Sequence, residues 1–127
     1  MNKIRNIILI DDDNATNVYH GIIIDETELV EKYQIFDSAS AALEYLKKGE
    51  ERPQYIFLDI NMPGMDGWEF LAEYQQLDQA NNLAKVIMLT TSLGAFDKKL
   101  AEDNPLVSNF FQKPLTPEML QEIAVSI

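Results

Sequence analysis

Short apolar runs alternate along this chain with longer stretches of helical period. The runs 4–10, 33–36, 55–58, 85–89 and 109–111 are rich in Ile, Leu, Val, Phe and Tyr and are bounded by polar or turn-forming residues, so each predicts a β-strand. Between the second and third runs, Ala39, Ala42, Leu43 and Leu46 recur at i, i+3, i+4 and i+7, with Ser38 placed to cap the start and Gly49 just past the end. Gly67, Phe70, Leu71, Tyr74 and Leu77 repeat that spacing behind Asp66, a second capping residue. Thr116 followed by Pro117 announces a last helix, with Met119, Leu120, Ile123 and Ile127 facing inward. Residues 14–26 and 96–103 complete the alternation as helices, although the first is polar at its start and the second is short. Five strands alternating with five helices predict a parallel sheet covered on both faces, a doubly wound α/β fold. Such folds bind ligands outside the carboxyl ends of their strands.

Composition narrows the setting. At 127 residues, with 46% apolar and 24% charged side chains, the chain suits one hydrophobic core, and no repeat, low-complexity tract or linker divides it, so residues 1–127 are expected to form a single domain. The absence of cysteine removes disulfides, thiolate metal sites and cysteine nucleophiles. No apolar stretch is long enough to span a membrane or serve as a signal peptide, which makes the cytoplasm the expected location. A net charge of −11 without any Lys/Arg run repels nucleic-acid backbones, so no direct nucleic-acid binding and no membrane association are expected. The Met1 start and the stop just after the last helix favour a free-standing protein over a piece of a hybrid kinase.

Candidate chemistry collects where the fold would place a ligand. The first strand ends in Asp11, Asp12 and Asp13, the third in Asp59, the fourth in Thr90, and the fifth runs into Lys113 and Pro114. Right-handed crossovers bring these ends to one edge of the sheet. Carboxylates crowded there repel: two unit charges about 4 Å apart cost ~4 kcal/mol at an effective dielectric of 20. A hard divalent cation answers that cost, and Mg²⁺ suits few carboxylates, retained waters and a phosphate ligand, with Mn²⁺ as the alternative. A carboxylate such as Asp59 can attack a phosphoryl group to give an acyl phosphate. Thr90 and Lys113 offer the hydroxyl and ammonium that meet the transferring group's charge. Asp13 reads as a cap or an exposed acid outside the metal set.

With these residues in view, the chain resembles the receiver domain of two-component response regulators, of the single-domain chemotaxis-regulator kind. The segments ILIDDD, FLDINMPGMDGWEFL, MLTT and FFQKPLTPEML carry the likeness in order and at the family's spacings. The resemblance implies a flavodoxin-like sheet of order 2-1-3-4-5. It also implies a phosphorylation-dependent signalling switch, in which Asp59 accepts a phosphoryl group from a sensor histidine kinase or histidine phosphotransfer protein. By the same resemblance Asp12 ligates the metal directly, Asp11 assists through the coordination shell, Asn61 contributes its backbone carbonyl, and Thr90 and Lys113 hold the phosphoryl oxygens. Phe110 matches the switch aromatic that packs inward when Thr90 is drawn to the phosphoryl group, so that a downstream protein target reads the change. The expected activity is self-catalysed phosphotransfer and autodephosphorylation only, not turnover of a separate substrate.

Several residues depart from the family's common pattern or read more plainly. Phe110 lacks the tyrosine hydroxyl of many relatives, and Thr91 is bulkier than the usual alanine and narrows access to Asp59. The resemblance also implies that the Asn61 and Ser92 side chains flank the path of attacking water and so bear on the lifetime of the phosphorylated state. His20, the lone histidine, reads as a packing or surface residue in the first helix, and Trp68 as a half-exposed neighbour of the active-site loop and a fluorescence reporter of metal binding. The competing enzyme reading is a metal-dependent aspartyl-phosphate phosphohydrolase. It needs an acid two residues after the nucleophile, where this chain has Asn61. A flavin or nucleotide binder is set aside because no glycine-rich loop follows the first strand.

Overall fold

The computed structural model describes residues 2–49, 51–77, 83–91 and 94–127. Its strands are β1 (Ile7–Ile10), β2 (Tyr33–Phe36), β3 (Tyr55–Leu58), β4 (Lys85–Thr90) and β5 (Val107–Gln112). They pair in parallel in the order β2-β1-β3-β4-β5, as expected. The helices α1 (Asn14–Thr27), α2 (Ala39–Lys48), α3 (Gly67–Tyr74), α4 (Ala95–Asp103) and α5 (Pro117–Val125) alternate with them.

Strand alternation splits the interior into two layers. Ile8, Ile10, Ile56, Leu58, Val86 and Met88 pack against Ala42 and Leu43 of α2, Phe70 and Leu71 of α3, and Ala101 of α4. Their sequence neighbours Ile7, Leu9, Tyr55, Phe57, Ile87 and Leu89 meet Ile24 of α1 and Leu120, Ile123 and Ala124 of α5. Strands covered on both faces read as unbroken apolar runs, which is why β1, β3 and β4 stand out in the sequence. The edge strands β2 and β5 are only partly buried and correspondingly mixed in composition.

The capping residues act as their types require. Ser38 Oγ accepts from the Ala41 amide at 3.1 Å, and Thr116 Oγ1 accepts from the Met119 amide at 3.2 Å. Asp66 and Glu69 form a reciprocal capping box, the Asp66 carboxylate accepting from Glu69 N at 2.8 Å and Glu69 accepting from Asp66 N at 3.0 Å.

Several boundaries differ from the sequence expectation, and three of them move an apolar residue out of its expected element. β1 begins at Ile7 rather than residue 4: Ile4 makes only an isolated bridge to Val30, because the Arg5 amide turns to the Gln54 side chain. α3 ends at Tyr74, whose hydroxyl accepts from the Ala84 amide at 2.8 Å, so Leu77 lies beyond the helix. α5 stops at Val125, leaving Ile127 44% exposed, and Ala124 takes the inward position expected of Ile127. The long 77–84 connection lies mostly outside the described residues.

Candidate functional site

β1 and β3 lie side by side with Ile10 opposite Leu58, so the next residue of each strand emerges at the same edge of the sheet. Those residues are Asp11 and Asp59. The Asp59 amide donates to Ile10 O at 3.0 Å and the Asp11 amide to Phe36 O at 3.1 Å, so both carboxylates project from a hydrogen-bonded frame. Behind Asp59, α3 comes so close that a Cβ at Gly67 would lie 2.6 Å from the Asp59 carbonyl oxygen, a distance only glycine tolerates. Gly64 holds φ at +78°, which lets the chain turn between the strand and α3.

Asp11, Asp12 and Asp59 present carboxylate oxygens that all lie within 4.8 Å of one another. Asp11 and Asp59 are buried, whereas Asp12 is exposed. The Lys113 ammonium enters from the end of β5, 2.5 Å from Asp11 Oδ2 and 3.4 Å from Asp59 Oδ1. Its own backbone is tied to the neighbouring strand, the Lys113 amide donating to Thr90 O at 2.8 Å. Thr90 is fully buried at the end of β4. Five sequence-predicted positions are thus brought to one edge.

Charge explains how the site titrates. Burial pushes the Asp59 carboxyl above its ordinary value; Lys113 opposes that rise and Asp11 adds to it. For Lys113, burial favours the neutral amine, but the hydrogen bond and charge of Asp11, then those of Asp59, prevail and raise its pKa. Three carboxylates against one ammonium leave two negative charges unanswered. A divalent cation with oxygen ligands matches both that charge and that donor set. Asp11 Oδ2 faces Lys113 and Oδ1 accepts from the Asp13 amide at 3.0 Å, so the acid left facing solvent is Asp12.

The remaining expected residues fall around this centre. Asn61 and Thr91 are exposed beside it, and Ser92 lies outside the described residues. Phe110 is half-buried opposite Met88, packed on the core layer shared with α2, α3 and α4. Asp13 stands outside the acid cluster at the N-cap position of α1, exposed, accepting from Thr16 Oγ1 at 2.5 Å. Trp68 is half-buried, and its indole N–H donates to Asp97 Oδ1 of α4 at 2.9 Å.

Two residues of α1 were not singled out as part of the site. Asn17 is buried and donates from Nδ2 to the Asp11 carbonyl at 2.8 Å, while its Oδ1 is buried without a hydrogen-bond partner among the described residues. His20 is 1% exposed, and its Nε2 accepts from the Leu115 amide at 3.2 Å. Burial holds its pKa below the ordinary value, with Lys113 adding to that and Asp11 opposing it. The available signal was spacing: a polar residue and a histidine at i and i+3 continue inward the stripe that Ile24 completes.

Comparison with known proteins agrees with this architecture. The family model described as response regulator receiver domain matches residues 7–125. Sporulation initiation phosphotransferase F of Bacillus subtilis is 34% identical over 93 residues, covering 72% of this chain and 67% of that protein. The probable methanogenesis regulatory protein FilR2 of Methanothrix harundinacea is 27% identical over 125 residues, covering 95% of this chain and 79% of its own length. A crystal structure of a two-component response regulator from Cytophaga hutchinsonii superposes with a TM-score of 0.87 at 34% identity, spanning 98% of this chain and 99% of that one. No helix among the described residues is long and apolar enough to cross a membrane. A matching family model over nearly the full length, together with the sheet order it requires, means that the chain belongs to the response regulator receiver domains, phosphorylation-dependent switches of two-component signalling.

Proposed function

We propose that Asp59 is the phosphoacceptor of this switch, in one receiver unit spanning residues 1–127 that works in the cytoplasm. The observation that carries the assignment is the Lys113 ammonium placed between the buried carboxylates of Asp11 and Asp59. An Asp59 carboxylate oxygen attacks the phosphorus of a phosphohistidine on a sensor histidine kinase or phosphotransfer protein. The P–N bond breaks, its electron pair stays on the imidazole nitrogen, which takes a proton from solvent, and an acyl phosphate forms on Asp59. Water attack on the same phosphorus later returns the carboxylate and inorganic phosphate, so the chain catalyses only its own phosphorylation and dephosphorylation.

Lys113 is positioned to follow the charge from the carboxylate to the phosphoryl oxygens, and the Thr90 hydroxyl to accept a place beside them. Asp12, the carboxylate facing solvent, would hold Mg²⁺ or Mn²⁺ directly, with Asp59 and the Asn61 backbone carbonyl completing the protein ligands and Asp11 acting through the coordination shell. When bound, the cation supplies positive charge that offsets the repulsion between phosphoryl oxygens and acids. Phosphorylation draws Thr90 inward and favours the conformation in which Phe110 packs deeper, altering the surface of α4, β5 and α5 for a downstream protein; nucleic acid is not the partner of so acidic a chain. The phosphohydrolase alternative is disfavoured because Asn61 cannot donate the proton a leaving group needs.

Intact-protein mass after incubation with acetyl phosphate and Mg²⁺ tests this reading. One hydroxylamine-labile phosphoryl adduct is expected, absent with EDTA and absent from Asp59→Asn. A stable unphosphorylated protein that steadily releases phosphate from other phosphate esters would instead support the hydrolase.

A further inference from the structure

His20 occupies a position where burial alone would call for an aliphatic side chain: it is 1% exposed, in the α1 layer of the core. Its ring lines the same small cavity as Asp11 and Asp59, together with Leu9, Ile10 and Phe57. On the other side, Nε2 accepts from the amide of Leu115, 95 residues away in sequence and itself fully buried. Leu115 follows Pro114, which has no N–H, and Lys113, whose amide is held by Thr90 O. The segment that carries the Lys113 ammonium is therefore tied by two amides: Lys113 to β4, and Leu115 to a side chain of α1 rather than to a carbonyl among the described residues.

We propose that His20 is a positioning residue of the receiver reaction, its Nε2 holding the Leu115 amide so that Lys113 stays between Asp11 and Asp59. The proposal rests on the reading of Lys113 as a phosphoryl-oxygen contact. Nε2 can accept only when the proton sits on Nδ1, so the neutral ring is the working form. Without the acceptor, the Leu115 amide must find water or another partner, and the loop shifts by the fraction of an ångström that decides whether an ammonium is aligned. Asp12, the exposed acid of the cluster, is not among the residues that line the cavity with His20, so cation binding through Asp12 is not what His20 governs.

The test compares the full chain with His20→Met, which keeps the volume and loses the acceptor, and His20→Gln, whose amide oxygen reaches the same place. Phosphorylation of Asp59 by acetyl phosphate slows by about tenfold in His20→Met and returns to within about threefold of the native rate in His20→Gln, the scale on which supporting hydrogen bonds orient reacting groups. Mg²⁺ affinity, read from Trp68 fluorescence, stays within about twofold in both, and Leu115 amide exchange accelerates only in His20→Met. If His20→Met does not fold, replacing the Leu115 amide by an ester removes the donor and leaves the ring in place, with the same slowing expected. A folded His20→Met or Leu115 ester that reacts at the native rate, or a His20→Gln as slow as His20→Met, overturns the proposal. If the native chain itself takes up no phosphoryl group while its Leu115 amide is protected, the assignment of Asp59 fails, and the role of His20 in that reaction fails with it.

Discussion

Among the lysine–carboxylate contacts of the described residues, two lie at opposite ends of the sheet and differ in nearly everything but chemistry. Lys113 meets Asp11 and Asp59 at the carboxyl ends of the strands with only 12% of its side chain exposed. Lys32 meets Glu51 near the other end, with 53% and 37% of the two side chains exposed. Water screens the second pair and supplies alternative partners, so its removal costs little. The first pair is enclosed, has more acid than base, and stands on strand ends fixed by main-chain hydrogen bonds. A charge imbalance held in so rigid a frame destabilises the fold unless something arrives to answer it, which supports the proposal that a cation and a phosphoryl group bind there.

Breaking the two pairs separately should expose the difference most sharply. Lys113→Met is expected to slow phosphorylation of Asp59 by about a hundredfold or more, since it removes the fixed positive charge that meets the transferring group. In metal-free buffer it should also lower unfolding stability by about 3 kcal/mol in urea titrations, as two buried carboxylates lose their partner. Lys32→Met should leave the phosphorylation rate unchanged and the melting temperature within experimental scatter. Equal effects of the two substitutions would mean that burial does not separate the pairs.

Supplying the missing charge should do the opposite. Mg²⁺ at a hundred times its dissociation constant is expected to raise stability by ~2.7 kcal/mol, and Asp12→Asn should remove most of that gain while Lys32→Met keeps it. Calorimetric melting with and without EDTA reads the effect. A gain that survives in Asp12→Asn would place the cation elsewhere.

A smaller effect follows from Asp59 itself. In EDTA, Asp59→Asn should be more stable than the native chain at pH 7 by roughly 1 kcal/mol, because one of the crowded charges is gone. The sign depends on pH. Asp59 titrates above its ordinary 3.8 when folded, so protons bind the folded state more tightly than the unfolded one. The stability carried by its protonated form is fully present below 3.8 and is lost as pH rises through the raised value. The advantage of Asp59→Asn should therefore vanish in acid and grow with pH, and a flat difference across that range would contradict the crowding.

The same contrast explains what could be read from the sequence. β1 and β3 are buried on both faces, so their apolar runs announced themselves, and the residues that end them, Asp11 and Asp59, were found with them. α2 was legible because Ser38 and Gly49 mark its ends and its inward residues are apolar. α1 was harder because its inward face changes character along its length: Asn17 and His20 are buried beside Asp11 while Ile24, with Ile23 partly buried next to it, packs as an aliphatic residue, and Val18, Tyr19 and Ile22 lie exposed. Apolar periodicity cannot register a buried stripe that is polar over part of its length. β5 was shortened to 109–111 because an edge strand alternates with solvent, and Val107 and Gln112 belong to it through pairing rather than composition. The charge imbalance of the site was visible in the residue types; that Lys113 lies closest to Asp11 was not, because it depends on the β5–α5 connection.

The most direct test of the account is to locate the phosphoryl group. Protein treated with acetyl phosphate and Mg²⁺ is reduced with borohydride, which converts an aspartyl phosphate to homoserine, and its peptides are sequenced by mass spectrometry. Homoserine at position 59 alone, absent after EDTA treatment, is the predicted result. Homoserine at position 11 or 12, or a phosphoryl group recovered on His20, would contradict it.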